Sequence, residues 1–169
     1  MPEPSGDEPS GARLSARRKQ AEFQRANGCC EYCRSQVHYS PNPFSVEHIM
    51  PHAGGGTDRP DNLALSCQGC NNCKYTSVDA TDPVTGATVP LFHPRRQRWD
   101  EHFAWNGDFT LVIGRTPMGR ATVEKLQLNR GGVVNLRHVL RVVGEHPPTE
   151  PAEPNASPQT DGVEERAPE

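Results

Sequence analysis

Residues 46–74 read "VEHIMPHAGGGTDRPDNLALSCQGCNNCK", and the fold turns on how this stretch divides. The apolar alternation from Phe44 to Ile49 predicts a short strand. Pro51 and the glycines at 54, 55 and 56 break regular structure, so "AGGGTDRPDN" reads as loop. "LALS" at 63–66 alternates again as a second short strand, and "CQGCNNCKY" at 67–75 opens a short helix. Glu47 and His48 therefore stand side by side at the mouth of a flexible loop, with strand, loop, strand and helix following in that order.

Cysteine pairs frame this stretch. Cys30-Glu-Tyr-Cys33 lies before it and Cys67-Gln-Gly-Cys70 inside it. A CxxC turn lets two thiolates converge on one tetrahedral ion, so two such pairs describe a closed, structural four-cysteine zinc site. Cys29 offers an alternative to Cys30 as a CxxxC ligand, and Cys73 an alternative to Cys67, because Cys70-Asn-Asn-Cys73 is also a CxxC. Cys67 is preferred for its place at a strand-to-helix turn, where backbone amides favour a thiolate. Zinc at this position would staple both ends of the segment carrying Glu47 and His48, offsetting a small core.

Upstream, "RLSARRKQAEFQRAN" at 13–27 predicts a helix stopped at Gly28, with Leu14, Ala21 and Phe23 facing inward. Downstream, "GATVPLFHP" and "HFAWNGDFTLVIG" read as strands, with Asn106-Gly107 as a hairpin turn. Thr116 is placed to cap a helix from Pro117 to Leu128, and Val133, Leu136, Val139, Leu140 and Val143 recur at helical spacing in a last amphipathic helix. Trp99, Phe103 and Trp105 read as anchors for packing this region on the first, while Arg95, Arg96 and Arg98 beside them offer a basic contact surface.

The two ends, 1–12 and 146–169, are rich in Pro, Glu, Ser and Gly and read as disordered tails. They hold nine of the 21 acidic residues against one of the 18 basic ones. The remainder, 17 basic against 12 acidic, carries the sign expected for a polyanion partner although the whole chain is at −3. No apolar run approaches the roughly 20 residues of a membrane span. No signal peptide is recognisable, so a reducing cytoplasm is expected, where cysteines serve as metal ligands or free thiols.

The carboxylate-His pair, the "DNL" asparagine and "CxxCNxxK", in that order, resemble the HNH endonuclease family in its cysteine-framed form over roughly residues 25–75. The resemblance implies an α+β fold: a ββα-metal nuclease core stapled by a four-cysteine zinc site (13–76), with a small α+β C-terminal extension (77–145). It implies His48 as general base, Glu47 and Asn71 as ligands of a catalytic Mg²⁺ or Mn²⁺, Asn62 as the residue steadying the loop that orients the base, and Cys30, Cys33, Cys67 and Cys70 as structural Zn²⁺ ligands. Glu47 stands where aspartate is frequent, Asn71 where the family name calls for histidine, and Cys73 where close relatives would carry histidine. The implied activity is hydrolysis of DNA, duplex by preference.

Physical chemistry is consistent with those roles. A neutral imidazole suits a base near pH 7, an oxygen-ligated divalent ion can stabilise charge on a phosphate, and three glycines let backbone approach a duplex. Lys74, Arg59 and Arg17-Arg18-Lys19 are candidate phosphate contacts. The alternative is a non-catalytic zinc-stabilised module that binds nucleic acid through the same cysteines and charge.

Overall fold

The computed structural model describes residues 14–149. The expected tail at 1–12, and the expected C-terminal tail from residue 150 on, lie outside them. Ser15 caps the first helix, α1 (Ala16–Arg25), through its side-chain oxygen, which accepts from the Arg18 amide. The helix ends where Asn27 and Gly28 turn to positive φ and the Gly28 amide bonds back to the Phe23 carbonyl. It buries Glu22 rather than the expected Ala21, which is exposed. The reason is an ion pair: Glu22 holds Arg25, whose guanidinium donates to the carbonyls of Pro60 (3.1 Å) and Leu63 (2.9 Å). This polar clasp ties α1 to the segment after Arg59, beside Phe23, which packs on the core as expected.

β1 (Ser45–His48) and β2 (Leu63–Ser66) form an antiparallel pair in the register Val46 to Leu65, Glu47 to Ala64 and His48 to Leu63. α2 (Gln68–Lys74) follows directly, completing a ββα unit. Glu31, in the first cysteine turn, bonds to the edge of this two-stranded sheet: its backbone amide donates to the Leu65 carbonyl at 3.0 Å while its carboxylate accepts the Leu65 amide at 2.8 Å. The first CxxC is thereby fixed beside the strand that leads into the second.

The extension holds two hairpins and three helices: β3 (Asp79–Thr81) with β4 (Thr88–Pro90), α3 (Trp99–His102), β5 (Phe103–Trp105) with β6 (Val112–Gly114), α4 (Pro117–Lys125) and α5 (Gly131–Val142). Thr116 caps α4 as expected from its position, accepting from the Gly119 amide. The β5–β6 connection is not a two-residue turn at Asn106-Gly107. Asn106 instead folds a longer loop, its Oδ1 accepting from the amides of Thr110 (2.8 Å) and Leu111 (2.9 Å).

One apolar cluster runs through both parts, from Tyr32, Phe44 and Leu65 to Leu91, Phe92, Trp99, Phe103, Val112 and Leu128. Trp99 is the joint: it is buried, stacks obliquely on Phe103 and donates its indole hydrogen to the Tyr32 carbonyl at 3.0 Å. α5 departs from its expected face, because Val139 and Val143 are exposed. Its buried residues are Leu140 and Arg137, and Arg137 satisfies the carbonyls of Thr110, Leu128 and Cys33 at 2.9–3.0 Å. Burying a guanidinium under three carbonyls sets the rotation of the helix more strictly than valines would. The packed chain also passes the expected boundary at Glu145: His146 is buried, 4.7 Å from the Trp105 ring and 2.7 Å from the Phe109 carbonyl. Among the described residues no helix is long and apolar enough to cross a membrane.

Candidate functional site

Cys30, Cys33, Cys67 and Cys70 bring their sulfurs within 4.8 Å of one another, and all four are buried. Cys67 occupies the N-cap of α2 and its sulfur accepts from the Cys70 amide, the placement that favours a thiolate. Cys29 is turned away, its sulfur toward the Asn27 carbonyl, and Cys73 lies partly exposed on α2. The quartet also carries its own counter-charge. Arg130, at the start of α5, puts one guanidinium nitrogen 3.0 Å from Cys67 Sγ and the other 3.6 Å from Cys70 Sγ. Burial opposes the charge on Arg130, but the thiolates of Cys70, Cys33 and Cys67 outweigh it and hold the guanidinium above its ordinary value. Buried, convergent, soft donors beside a fixed cation suit a tetrahedral zinc ion carrying four thiolates.

β1 delivers Glu47 and His48 to opposite faces, as adjacent strand residues must be. Glu47 points inward. Its two oxygens are engaged by the Tyr32 hydroxyl and, at 2.9 Å, by Lys74 Nζ, with both charged side chains almost wholly excluded from solvent. Burial raises the Glu47 carboxyl, and Lys74 and Tyr32 work against that rise. Both Glu47 oxygens thus carry an internal partner, and one expectation is corrected: Lys74 is a buried partner of Glu47 rather than an exposed phosphate contact.

His48 faces the loop. Its Nε2 lies 2.7 Å from Asp58 Oδ1; a carboxylate only accepts, so Nε2 carries the hydrogen and, in the neutral ring, Nδ1 is left with the lone pair. That bond holds the Asp58 carboxyl below its ordinary value. His52 joins from the other side, its Nε2 3.2 Å from the same oxygen. Asn62 clasps the loop: its Oδ1 accepts from the Met50 amide, and its Nδ2 donates to the carbonyls of Met50 and Thr57. Gly56 is required there, since a Cβ would stand 1.8 Å from the Met50 carbonyl oxygen. Asn71 is on α2, partly exposed, directly after the last quartet cysteine.

Residues 30–77 match the family model described as HNH endonuclease. This segment is an HNH domain. No curated protein matches the chain. The HNH match covers the cysteine quartet, both strands and α2, and it stops where the extension begins.

The HNH domain and extension share a cleft of about 470 Å³, with Gly55, Gly56 and Arg59 on one wall and Phe92, His93 and Arg96 on the other. His48 is not among its lining residues, so the cleft flanks the histidine rather than containing it. Arg95, by contrast, is withdrawn from any contact surface: it pairs with Glu31 and donates to the Leu63 carbonyl, and burial draws it down to about 9. Asp58 and His52 were not legible as site residues, because a polar loop at "PHAGGGTD" gives no spacing rule that returns its far end to the strand.

Proposed function

We propose that the protein is a divalent-metal-dependent endonuclease that hydrolyses DNA, with duplex as its substrate and His48 as the general base. The observation that carries this reading is the His48–Asp58 pair on the loop face of the HNH domain. Asp58 fixes the ring by its Nε2 hydrogen, leaving Nδ1 to take a proton from the attacking water, and its charge stabilises the imidazolium that forms. Asn62 keeps the loop that bears Asp58 closed on β1. Water attack on phosphorus breaks the bond to the 3′-oxygen, which takes up a proton from solvent, and yields a 5′-phosphate and a 3′-hydroxyl.

A bound Mg²⁺ or Mn²⁺ would stabilise charge on the phosphoryl oxygens. Asn71 and Glu47 would hold it as oxygen donors, Glu47 only by exchanging the Tyr32 or Lys74 contact that each of its oxygens makes here. Exposed Arg59 and Arg96 at the flanking cleft supply cations for the phosphate backbone. The cysteine quartet fits a Zn²⁺ ion that fixes α2 to the first turn, and a reducing cytoplasm would preserve its thiolates.

Plasmid nicking by the zinc-loaded protein in Mg²⁺ or Mn²⁺ tests the proposal, with Asp58→Asn expected to lower kcat about tenfold or more. DNA binding that is undiminished in EDTA, with no cleavage under either ion, would instead assign a non-catalytic binding module.

A further inference from the structure

β1 ends at His48, and the chain turns at Pro51 so that His52 returns beside it, the two rings 4.2 Å apart at their centres. Asp58 closes a third side, its Oδ1 2.7 Å from His48 Nε2 and 3.2 Å from His52 Nε2. One donor atom from each residue lies within 4.8 Å of the others.

The bonding of His52 indicates what belongs between them. Its Nδ1 stands 2.9 Å from the Gly56 carbonyl oxygen. A carbonyl only accepts, so Nδ1 carries the hydrogen and, in the neutral ring, Nε2 is left with a lone pair. That lone pair faces Asp58 Oδ1, a second acceptor, at 3.2 Å. Two acceptors in that arrangement repel unless a cation, a proton or a metal ion, stands between them. A backbone carbonyl on one ring nitrogen, with the other nitrogen aimed at the ion, is also how proteins orient metal-binding histidines.

We propose that His48, His52 and Asp58 form a second metal site, for a divalent transition ion of the Zn²⁺, Co²⁺ or Ni²⁺ type, separate from the cysteine quartet. Two imidazole nitrogens with one carboxylate oxygen favour these ions over Mg²⁺ or Ca²⁺, which prefer oxygen alone. Bonds of about 2.0–2.2 Å in a tetrahedral site place ligand atoms about 3.3–3.5 Å apart. His52 and Asp58 are already near that spacing, and His48 needs to withdraw from Asp58 by about 0.6–0.8 Å. Three protein ligands at a partly exposed position leave a fourth for water or a phosphate oxygen. An ion on His48 Nε2 displaces the hydrogen that Asp58 accepts, so the ring ceases to be an oriented base. This inhibitory consequence rests on the nuclease reading; the site itself does not.

The test uses the full chain with its cysteine quartet already saturated by Zn²⁺. Further Zn²⁺ is titrated calorimetrically while long-range ¹⁵N–¹H spectra follow the histidine rings. One additional equivalent is expected, shifting the Nε2 signals of His48 and His52 together. His52→Ala, at a side chain 44% exposed, is expected to weaken that equivalent at least tenfold, and Asp58→Asn likewise. No second equivalent, or one that leaves the His48 ring unmoved or binds His52→Ala equally well, would overturn the site and leave a protonated His52–Asp58 pair in its place. Nicking in Mg²⁺ at rising Zn²⁺ reads the inhibitory consequence separately: activity is expected to fall as the second equivalent fills. A protein that nicks nothing leaves the titration fully decisive.

Discussion

Replacing Lys74 by Met isolates the pair that occupies Glu47. Lys74 Nζ stands 2.9 Å from Glu47 Oε2 and 3.1 Å from the His48 carbonyl, with the two charged side chains 2% and 5% exposed. Methionine keeps most of the apolar stem and removes the charge, leaving a buried carboxylate with only the Tyr32 hydroxyl. Breaking one side of such a pair costs about 3–5 kcal/mol, a large part of the roughly 5–15 kcal/mol that holds a domain folded. With a urea dependence of about 1–3 kcal/mol per molar, the unfolding midpoint of the zinc-loaded protein should fall by roughly 2 M. Burial already raises the Glu47 carboxyl, and losing Lys74 raises it further, so the folded variant binds a proton more tightly than the unfolded chain. The deficit should therefore shrink as pH falls and grow as it rises. Glu47→Gln combined with Lys74→Met removes both charges and should recover most of the loss. A Lys74→Met cost below about 1 kcal/mol, or a loss restored by Mg²⁺ or Mn²⁺ acting on the freed carboxylate, would refute the view that Glu47 is an internal counter-ion.

Arg130→Gln removes the cation lying against Cys67 and Cys70, and zinc competition with a chromophoric chelator should show affinity reduced about tenfold or more; unchanged affinity would contradict its role at the quartet. Asp82 is buried under a bidentate bond from Arg120, 2.8 Å at each oxygen, and the hydrogen bonds from that guanidinium hold its carboxyl well below the usual carboxylate range. Its contribution is present above the unfolded value of about 4 and is lost as pH falls toward the folded one. The gap in urea midpoint between wild type and Asp82→Asn should accordingly be full at pH 7 and narrow below about pH 4. Gly56→Ala forces a Cβ into the Met50 carbonyl and should cost about 1–3 kcal/mol, with amide exchange faster across residues 50–57.

The ββα order and the quartet were legible because their signals are local: alternation over four residues, a loop that glycine and proline permit, and two CxxC turns that only a shared centre explains. Cys67 was distinguishable from Cys73 by its place at the start of α2, where the Cys70 amide meets its sulfur. What escaped the sequence were contacts made by polar side chains over long separations. Glu22 with Arg25 turned α1 away from Ala21, and Arg137 turned α5 away from Val139 and Val143. Hydrophobic periodicity records which residues avoid water and is silent about a buried guanidinium whose carbonyl partners lie as far as 104 residues away. Glu47 shows the same limit: a carboxylate beside a histidine reads as one site in sequence, yet the strand's pleat sends it to the opposite face.

Single-turnover cleavage of a supercoiled plasmid by zinc-loaded protein, wild type against His48→Ala, tests the central claim most directly. With folding verified by the unfolding midpoint, the rate in Mg²⁺ or Mn²⁺ should fall about 10²-fold or more when the imidazole is removed. Wild-type cleavage that persists at full rate in His48→Ala would contradict the assignment of the base.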